Sequence, residues 1–437
     1  MTNKNKINIQ MSWDKEVIPA KTESKRSLLI ELTANSDLSS KKKARRPVNL
    51  ALVIDRSGSM RGSPIAAAKS AVMQIADQLN SKDRLSLVSF DNEVETHFSN
   101  VKMDNKGSDY VKSLVSEIYA RATTDLSGGW FAGAKCATEA IDEGSFKNGF
   151  VIVLSDGLAN EGIQDPRELT MHASELASRG IQTSSIGIGA HYSPLQLDAL
   201  AEGGRGRLHD TETAEDIIDV VLGELGEIGN TIAHNIKLNI HHPSSVELKC
   251  LSKMKAIKSG NFYQISIGSL QLNQTKSIAF LASIGKYIKD SNLPFESHIT
   301  WDDVETGKEN ESSVFNSTLN VVSIAEEKRT EINTAVVQKV ADLWEASMAY
   351  ESLILNEQNQ FDDASNLYAN NSMKFSLIVD SLEDSDIRKD RFNSMQKKVA
   401  KQWQGRSKRS SYNFVKKMSM SEPDLRQRDA GSWNDEF

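Results

Sequence analysis

The stretch Val48-Asn49-Leu50-Ala51-Leu52-Val53-Ile54-Asp55-Arg56-Ser57-Gly58-Ser59-Met60 decides how this chain is read. Its first half is a short, almost unbroken apolar run, which marks a strand covered on both faces, as in a parallel sheet. Its second half places one carboxylate and two hydroxyls, Asp55, Ser57 and Ser59, in a single turn. Gly58 lets the backbone bend sharply enough for both hydroxyls to converge. All three are hard oxygen donors, and the carboxyl edge of an open α/β sheet is where ligands sit. Mg²⁺ or Mn²⁺ suits such donors. Because an octahedral ion takes six ligands and keeps several waters, further loops have to contribute.

Outward from this stretch, Arg84–Phe90, Gly149–Ser155 and Gln182–Gly187 read as strands of the same kind. Pro64–Asn80, Ser108–Tyr119, Gly129–Asp142 and Pro166–Arg179 carry helical periodicity between them, with Pro64, Pro166 and Pro194 where a first helical turn tolerates proline. A helix over Ala214–Ile228 closes the segment, so residues 48–229 form a doubly wound, Rossmann-like α/β domain. Alternating apolar spacing marks Ile236–Ile240, Phe262–Ile267 and Ser277–Leu281, an antiparallel β-sandwich domain over 230–324. Ile7–Met11 and Ser27–Leu32, within residues 1–47, are β segments that could not bury a face alone and are expected to join that sandwich across the inserted domain. Ile332, Val336, Val340 and Leu343 open a helical region over 325–404, and 405–437 is a basic, Ser-rich tail expected to be flexible.

Two later segments can supply the missing donors: Thr123-Thr124-Asp125-Leu126-Ser127-Gly128-Gly129 before a helix, and Leu154-Ser155-Asp156-Gly157 at the end of a strand. Together with the D-x-S-x-S of Asp55, Ser57 and Ser59, they resemble the von Willebrand factor A domain and its metal-ion-dependent adhesion site, a pattern of DxSxS, then Thr, then Asp. The resemblance covers Val48–Gly229, about two fifths of the chain. It implies that Ser57 and Ser59 bind the ion directly, that Thr124 does so in a ligand-ready state, and that Asp55 and Asp156 act through waters or by direct exchange. Glycines often precede the family's threonine. Here Arg121-Ala122-Thr123 stand there instead, which keeps Thr123 open as a substitute for Thr124. An ion held largely by neutral hydroxyls stays under-neutralised and attracts an outside carboxylate, so a partner's Asp or Glu would complete the octahedron. Asp125 reads as a helix cap in preference to a ligand. The flanking β segments and helices also resemble inter-α-trypsin-inhibitor heavy chains, by pattern only.

The composition limits what else the chain could be. Of 437 residues, 39% are hydrophobic and 25% charged, and the formal balance is −7. These values fit a globular chain of two or three domains and argue against a fibrous or wholly disordered one. No apolar run approaches a membrane span, and Met1–Lys6 leads into a charged, alternating stretch unlike a secretory signal. Cys136 and Cys250 are the only cysteines, far apart and in no metal-binding pattern, so a reducing cytoplasm is the expected compartment. His241-His242-Pro243 reads as surface or edge histidines, Gly187-Ile188-Gly189 as a strand exit, and Gly203-Gly204-Arg205-Gly206-Arg207 as a turn before a strand, since neither glycine run completes a nucleotide fingerprint. The basic cluster Arg406–Tyr412 stands in an acidic chain without a recognised binding module, which argues against nucleic acid and leaves a solvated or phosphorylatable tail.

The expected function is therefore a non-enzymatic, intracellular, metal-dependent interaction module or adaptor. Intracellular relatives of this kind serve ATPase, kinase or ligase complexes. The alternative is a magnesium-dependent phosphohydrolase or phosphotransferase on a similar sheet. That chemistry commonly needs a second carboxylate two residues after the nucleophilic Asp, where this chain has Ser57.

Overall fold

The computed structural model describes residues 6–34, 47–121, 123–157, 159–189, 192–211, 213, 216–221, 223–224, 231–252, 254, 256–272, 274–287, 291–304 and 307–401. The tail over 405–437 lies outside these residues, as do parts of the helix expected over 214–228.

The inserted α/β unit is built on a six-stranded sheet. Its strands are β4 (Asn49–Asp55), β5 (Arg84–Phe90), β6 (Val94–Lys102), β7 (Gly149–Ser155), β8 (Ile181–Ile188) and β9 (Arg205–Thr211), in the order β6-β5-β4-β7-β8-β9. All neighbours are parallel except β6, which pairs antiparallel with β5. Every residue of β4 is buried. Alternation sends Leu50, Leu52 and Ile54 into one apolar cluster with α1 (Ser63–Gln78) and α2 (Asn105–Val115). Ala51 and Val53 enter the other cluster, with α3 (Leu126–Asp142), α4 (Pro166–Ser178) and α5 (Pro194–Gly203). A last helical run, α6, covers 216–221, and its Ile217 and Val221 return to the α1 side. The chain leaves β4 toward β5 on one side and later reaches β7 on the other, so the sheet's topological switch point lies at the carboxyl ends of β4 and β7.

Helix starts are fixed locally. The Asp104, Asp125, Asp165 and Ser193 side chains accept from N–H groups of the first turns of α2, α3, α4 and α5. Pro166 and Pro194 fall in first turns. The cap on α3 sets its start at Leu126, three residues before the helix expected from periodicity. Gly128 and Gly129 weaken the apolar pattern there, while the Asp125 carboxylate supplies the stop that hydrophobicity alone does not show.

Two further sheets form the sandwich. One is β1 (Ile7–Trp13), β3 (Ser24–Ala34), β14 (Thr275–Ile284) and β11 (Val246–Cys250), ordered β1-β3-β14-β11 and antiparallel throughout. The other runs β12 (Ala256–Ser259), β13 (Phe262–Gln271), β10 (Thr231–His241), β15 (Asn292–Asp303), β17 (Phe315–Val322) and β2 (Val17–Pro19), with β16 (Glu309–Glu311) beside β15. Its β17–β2 pair is parallel, a departure from the wholly antiparallel expectation. Ile30 and Phe280 from the first sheet meet Leu238, Phe295 and Ile299 from the second in one buried cluster. The two N-terminal strands thus pair with the later β region across the insertion, with Ile30 opposite Ile278.

The helical end comprises α7 (Ile324–Arg329), α8 (Thr334–Glu357), α9 (Phe361–Val379) and α10 (Ser385–Val399). Leu29, Ala279 and Leu281, on the outer face of the four-stranded sheet, join a cluster with Val336, Val340 and Trp344 of α8. That sheet is consequently covered on both sides, which accounts for the unbroken burial of Ser27–Ile30 and of Ser277–Ala282. The Tyr350 hydroxyl donates to Asp198 Oδ2 at 2.6 Å, joining α8 to α5 of the α/β unit. Phe375 and Phe392 stack at 4.4 Å between α9 and α10.

Candidate metal centre

At the switch point, β4 delivers Asp55 and β7 delivers Ser155 and Asp156 to the same crevice. After Asp55 the chain makes a single 3-10 turn over Gly58–Met60, which keeps Ser57 and Ser59 on one side, their hydroxyls 3.0 Å apart. Asp55 is held at both oxygens. The Ser57 N–H donates to Oδ1 at 2.7 Å and the Ser155 hydroxyl to Oδ2 at 2.6 Å. The Ser59 hydroxyl donates to Asp156 Oδ1 at 2.7 Å. Asp55, Ser57, Thr124 and Asp156 are all buried.

Gly157 shows how closely these groups converge. A Cβ placed on it would lie 3.3 Å from Ser59 Oγ, 3.6 Å from Thr124 Oγ1 and 3.8 Å from Asp55 Oδ2. One point in space is therefore ringed by oxygens from three loops, and the absent side chain keeps it open. The donor set contains two carboxylates and three hydroxyls, with no nitrogen or sulfur, which fits a hard divalent cation that retains water. Burial pushes the Asp55 carboxyl up to about 6, and the neighbouring Asp156 acts in the same direction, against hydrogen bonds from Ser155 and Ser57. Two such carboxylates held by neutral hydroxyls form a site whose charge a cation would balance.

Of the two threonines, Thr124 is the one brought to this point. Its N–H donates to Asn160 Oδ1 at 2.9 Å, and its carbonyl accepts from the N–H groups of Asn160 and Glu161. Thr123 turns outward, its hydroxyl donating to Glu161 at 2.5 Å. Asp125 is a cap, as expected: its Oδ1 accepts from the Gly128 N–H and the Ser127 hydroxyl, each at 2.9 Å.

Residues that the motif reading did not single out hold the loops in place. Ser155 anchors Asp55, and Asn160 pins Thr124. The fully buried Asp91, just after β5, accepts from Arg121 Nε at 2.9 Å through its side chain and from the Asp125 N–H at 2.8 Å through its carbonyl. Arg121 N–H donates to the Arg56 carbonyl at 2.7 Å, and Arg56 Nη1 donates to Glu95 at 2.5 Å. This network replaces the glycines often found before the threonine: Arg121 is tethered on both its backbone and its guanidinium. Ser155 lies inside a quoted motif and was within reach of sequence reading. Asn160 and Asp91 carried no local signal, because their partners are distant in sequence.

Three features set aside earlier have defined places. The Gly203–Arg207 run is the turn from α5 into β9, and β8 ends at Ile188 before Gly189. His242 is a correction, because it is buried instead of lying at the surface: its Nδ1 is 3.0 Å from the Pro243 carbonyl oxygen, and burial lowers its pKa. Among the described residues no group of three or more His, Cys, Asp or Glu side chains gathers as a metal cluster, and no helix is long and apolar enough to cross a membrane.

Residues 49–221 match the sequence profile of the von Willebrand factor type A domain. The chain contains a von Willebrand factor type A domain. It is 24% identical over 298 residues to an uncharacterized protein of Synechocystis sp., covering 66% of this chain and 68% of that one. It is 24% identical over 206 residues to inter-alpha-trypsin inhibitor heavy chain H3 of Rattus norvegicus, covering 46% of this chain and 23% of the heavy chain. The match thus spans less than a quarter of the heavy chain's length. Among solved structures, a von Willebrand factor type A protein from Catenulispora acidiphila superposes with a TM-score of 0.63 at 15% identity, covering 86% of this chain and 89% of the other. That likeness takes in the sandwich and helices as well as the α/β domain, and it concerns fold alone. Von Willebrand factor type A domains commonly mediate protein–protein interactions and typically bind a divalent metal.

Proposed function

We propose that this chain is a divalent-cation-dependent protein-interaction module or adaptor that works by binding and not by turnover. The convergence of Ser59, Thr124 and Asp55 on the open point beside Gly157 carries this reading. Asp55, Ser57, Ser59, Thr124 and Asp156 would hold Mg²⁺ or Mn²⁺, which when bound supplies a Lewis-acidic position for an Asp or Glu carboxylate of the partner. The chain's own residues do the preparatory work. Asn160 and the Arg121–Asp91 contact fix the threonine loop, Ser155 orients Asp55, and burial of the crevice strengthens its electrostatics. Three of the five side chains that would hold the ion are neutral hydroxyls, which blunt its Lewis acidity less than carboxylates do and so favour a carboxylate from the partner. The two cysteines, neither in a disulfide, support a cytoplasmic setting, and a subunit of an ATPase, kinase or ligase complex is the kind of partner proposed.

Affinity purification from native lysate tests the reading, with and without chelator and with Asp55→Ala. The expected result is a partner retained by wild type with Mg²⁺ and lost in both other arms. Unaltered capture in either arm would remove the metal site from the interface. Magnesium-dependent hydrolysis of phosphate esters that disappears in Asp55→Asn would replace binding with catalysis.

A further inference from the structure

The opposite edge of the α/β sheet carries a second concavity. Between the amino ends of β7, β8 and β9 and the β10–β15 region of the sandwich lies a cavity of about 340 Å³, within the range of small-molecule sites. Lys147, Arg179 and Arg205 line it from the α/β side, and His234, Asn235 and Asp302 from the sandwich side. The metal centre stands at the carboxyl ends of β4 and β7, so the two sites occupy opposite poles of the sheet.

The cavity's free bonding capacity is specific. Asn235 sits where the β10 register shifts, at φ 54°, and its Nδ2 donates to Asp302. A carboxylate only accepts, so the amide orientation is fixed. This leaves Asn235 Oδ1 buried with no partner among the described residues. Arg205 also has a left-handed backbone, φ 60°, which residues bearing a Cβ seldom adopt and which clusters at functional sites. Its turn is held from both sides: a Cβ on Gly204 would meet Thr183 Cβ at 2.5 Å, and one on Gly206 would meet the Thr183 carbonyl oxygen at 2.0 Å. Arg205 spends one N–H on the Ala177 carbonyl at 3.0 Å, and burial lowers its pKa while Asp302 opposes that.

The acids around the cavity are engaged within the protein, Asp302 by Asn235 and Asp303 by Lys6. Lys147 has no ionic partner among the described residues, and Arg179 reaches only the exposed Glu175 one helical turn away. With Lys147, Arg179 and Arg205 set against the Asp302 carboxylate, which Asn235 bonds but does not neutralise, the lining keeps an excess of positive charge and one unmet neutral acceptor. Three cations lining one cavity match a dianionic phosphate better than a lone carboxylate.

We propose that this cavity binds a small phosphomonoester, with its phosphate toward Lys147, Arg179 and Arg205 and a ligand hydroxyl donating to Asn235 Oδ1. The ligand would bridge the α/β domain and the sandwich.

Calorimetric titration and thermal melts of the full chain test this at constant ionic strength, with ribose 5-phosphate, ribose and inorganic phosphate as probes. Ribose 5-phosphate is expected to bind and raise the melting temperature, with ribose inert and inorganic phosphate weaker. Removing the two exposed cations in K147Q/R179Q should weaken the ester roughly tenfold without altering the unliganded melt. Asn235→Asp should weaken it too, by turning a carboxylate on the ligand. Absence of binding by the ester, equal affinity in K147Q/R179Q, or inorganic phosphate binding as tightly as the ester would each overturn the proposal.

Discussion

Gly157 matters for the side chain it lacks. Its φ lies outside the left-handed range, so alanine is tolerated by the backbone, yet the added methyl would occupy the point ringed by Ser59, Thr124 and Asp55. Gly157→Ala should therefore keep the metal-free stability within about 1 kcal/mol while abolishing the rise in melting temperature expected from Mg²⁺ or Mn²⁺ at the proposed site. A retained metal shift in this variant would move the ion elsewhere. Asp14 offers a separate residue-scale test. Burial pushes its carboxyl up to about 6, against the charge of Arg26 and the N–H groups of Lys15 and Ser27. The folded state then binds this proton more tightly than the unfolded chain does, so the stabilising contribution is full below about pH 4 and is lost as pH rises through about 6. Asp14→Asn, which keeps the acceptor and removes the charge, should raise stability at pH 7 by up to about 3 kcal/mol and flatten the pH dependence between about 4 and 6. Denaturant melts across that range would show it, and an unchanged pH profile would refute it.

Among the elements, α3 comes close to the sheet because glycine lines its inner face. A Cβ at Gly129 would meet the Phe90 ring at 2.4 Å and one at Gly133 would meet Val53 at 2.3 Å. Gly129→Ala should cost about 1–3 kcal/mol in chemical denaturation through overpacking, and because α3 starts at the Asp125 cap beside Thr124, it should also weaken Mg²⁺ binding. A neutral substitution would mean that the helix can shift outward freely. The same glycines show why some elements were legible in sequence and others were not. The buried strands β4 and β7 announce themselves, since both faces are apolar, and β5 and β8 are legible despite the buried Ser86, Ser89, Thr183, Ser184 and Ser185 that interrupt them. The edge strand β6 does not: along Val94–Lys102 Phe98 alone is fully buried, so its pattern is that of an exposed loop. The convergence of the candidate metal-site residues was legible because Asp55, Ser57 and Ser59 are close in sequence, and Thr124 and Asp156 follow in recognisable order. The clamps Asn160 and Asp91 act across 36 and 30 residues in their side-chain bonds, and no local pattern records such a pairing.

Across the whole molecule, the helical end is part of the core. Removing everything after Ser323 would uncover Leu29, Ala279 and Leu281 and break the Tyr350–Asp198 contact. The truncated chain should self-associate in light scattering, whereas a monodisperse monomer would show that the four-stranded sheet does not need its helical cover. Tyr350→Phe, a smaller cut at the same junction, should cost about 1–3 kcal/mol by stripping a buried donor from Asp198. The split sandwich has one more consequence, for the order in which the protein comes to exist. The Thr33 and Thr275 hydroxyls lie 3.1 Å apart across β3 and β14, yet 242 residues separate them along the chain. During synthesis β1 and β3 emerge first and must wait for the whole von Willebrand factor type A domain before their sheet neighbour β14 exists. Local contacts within the inserted domain can form meanwhile, so that domain should be native while the sandwich is still open, and closing the sandwich should be the slow, aggregation-exposed step of refolding.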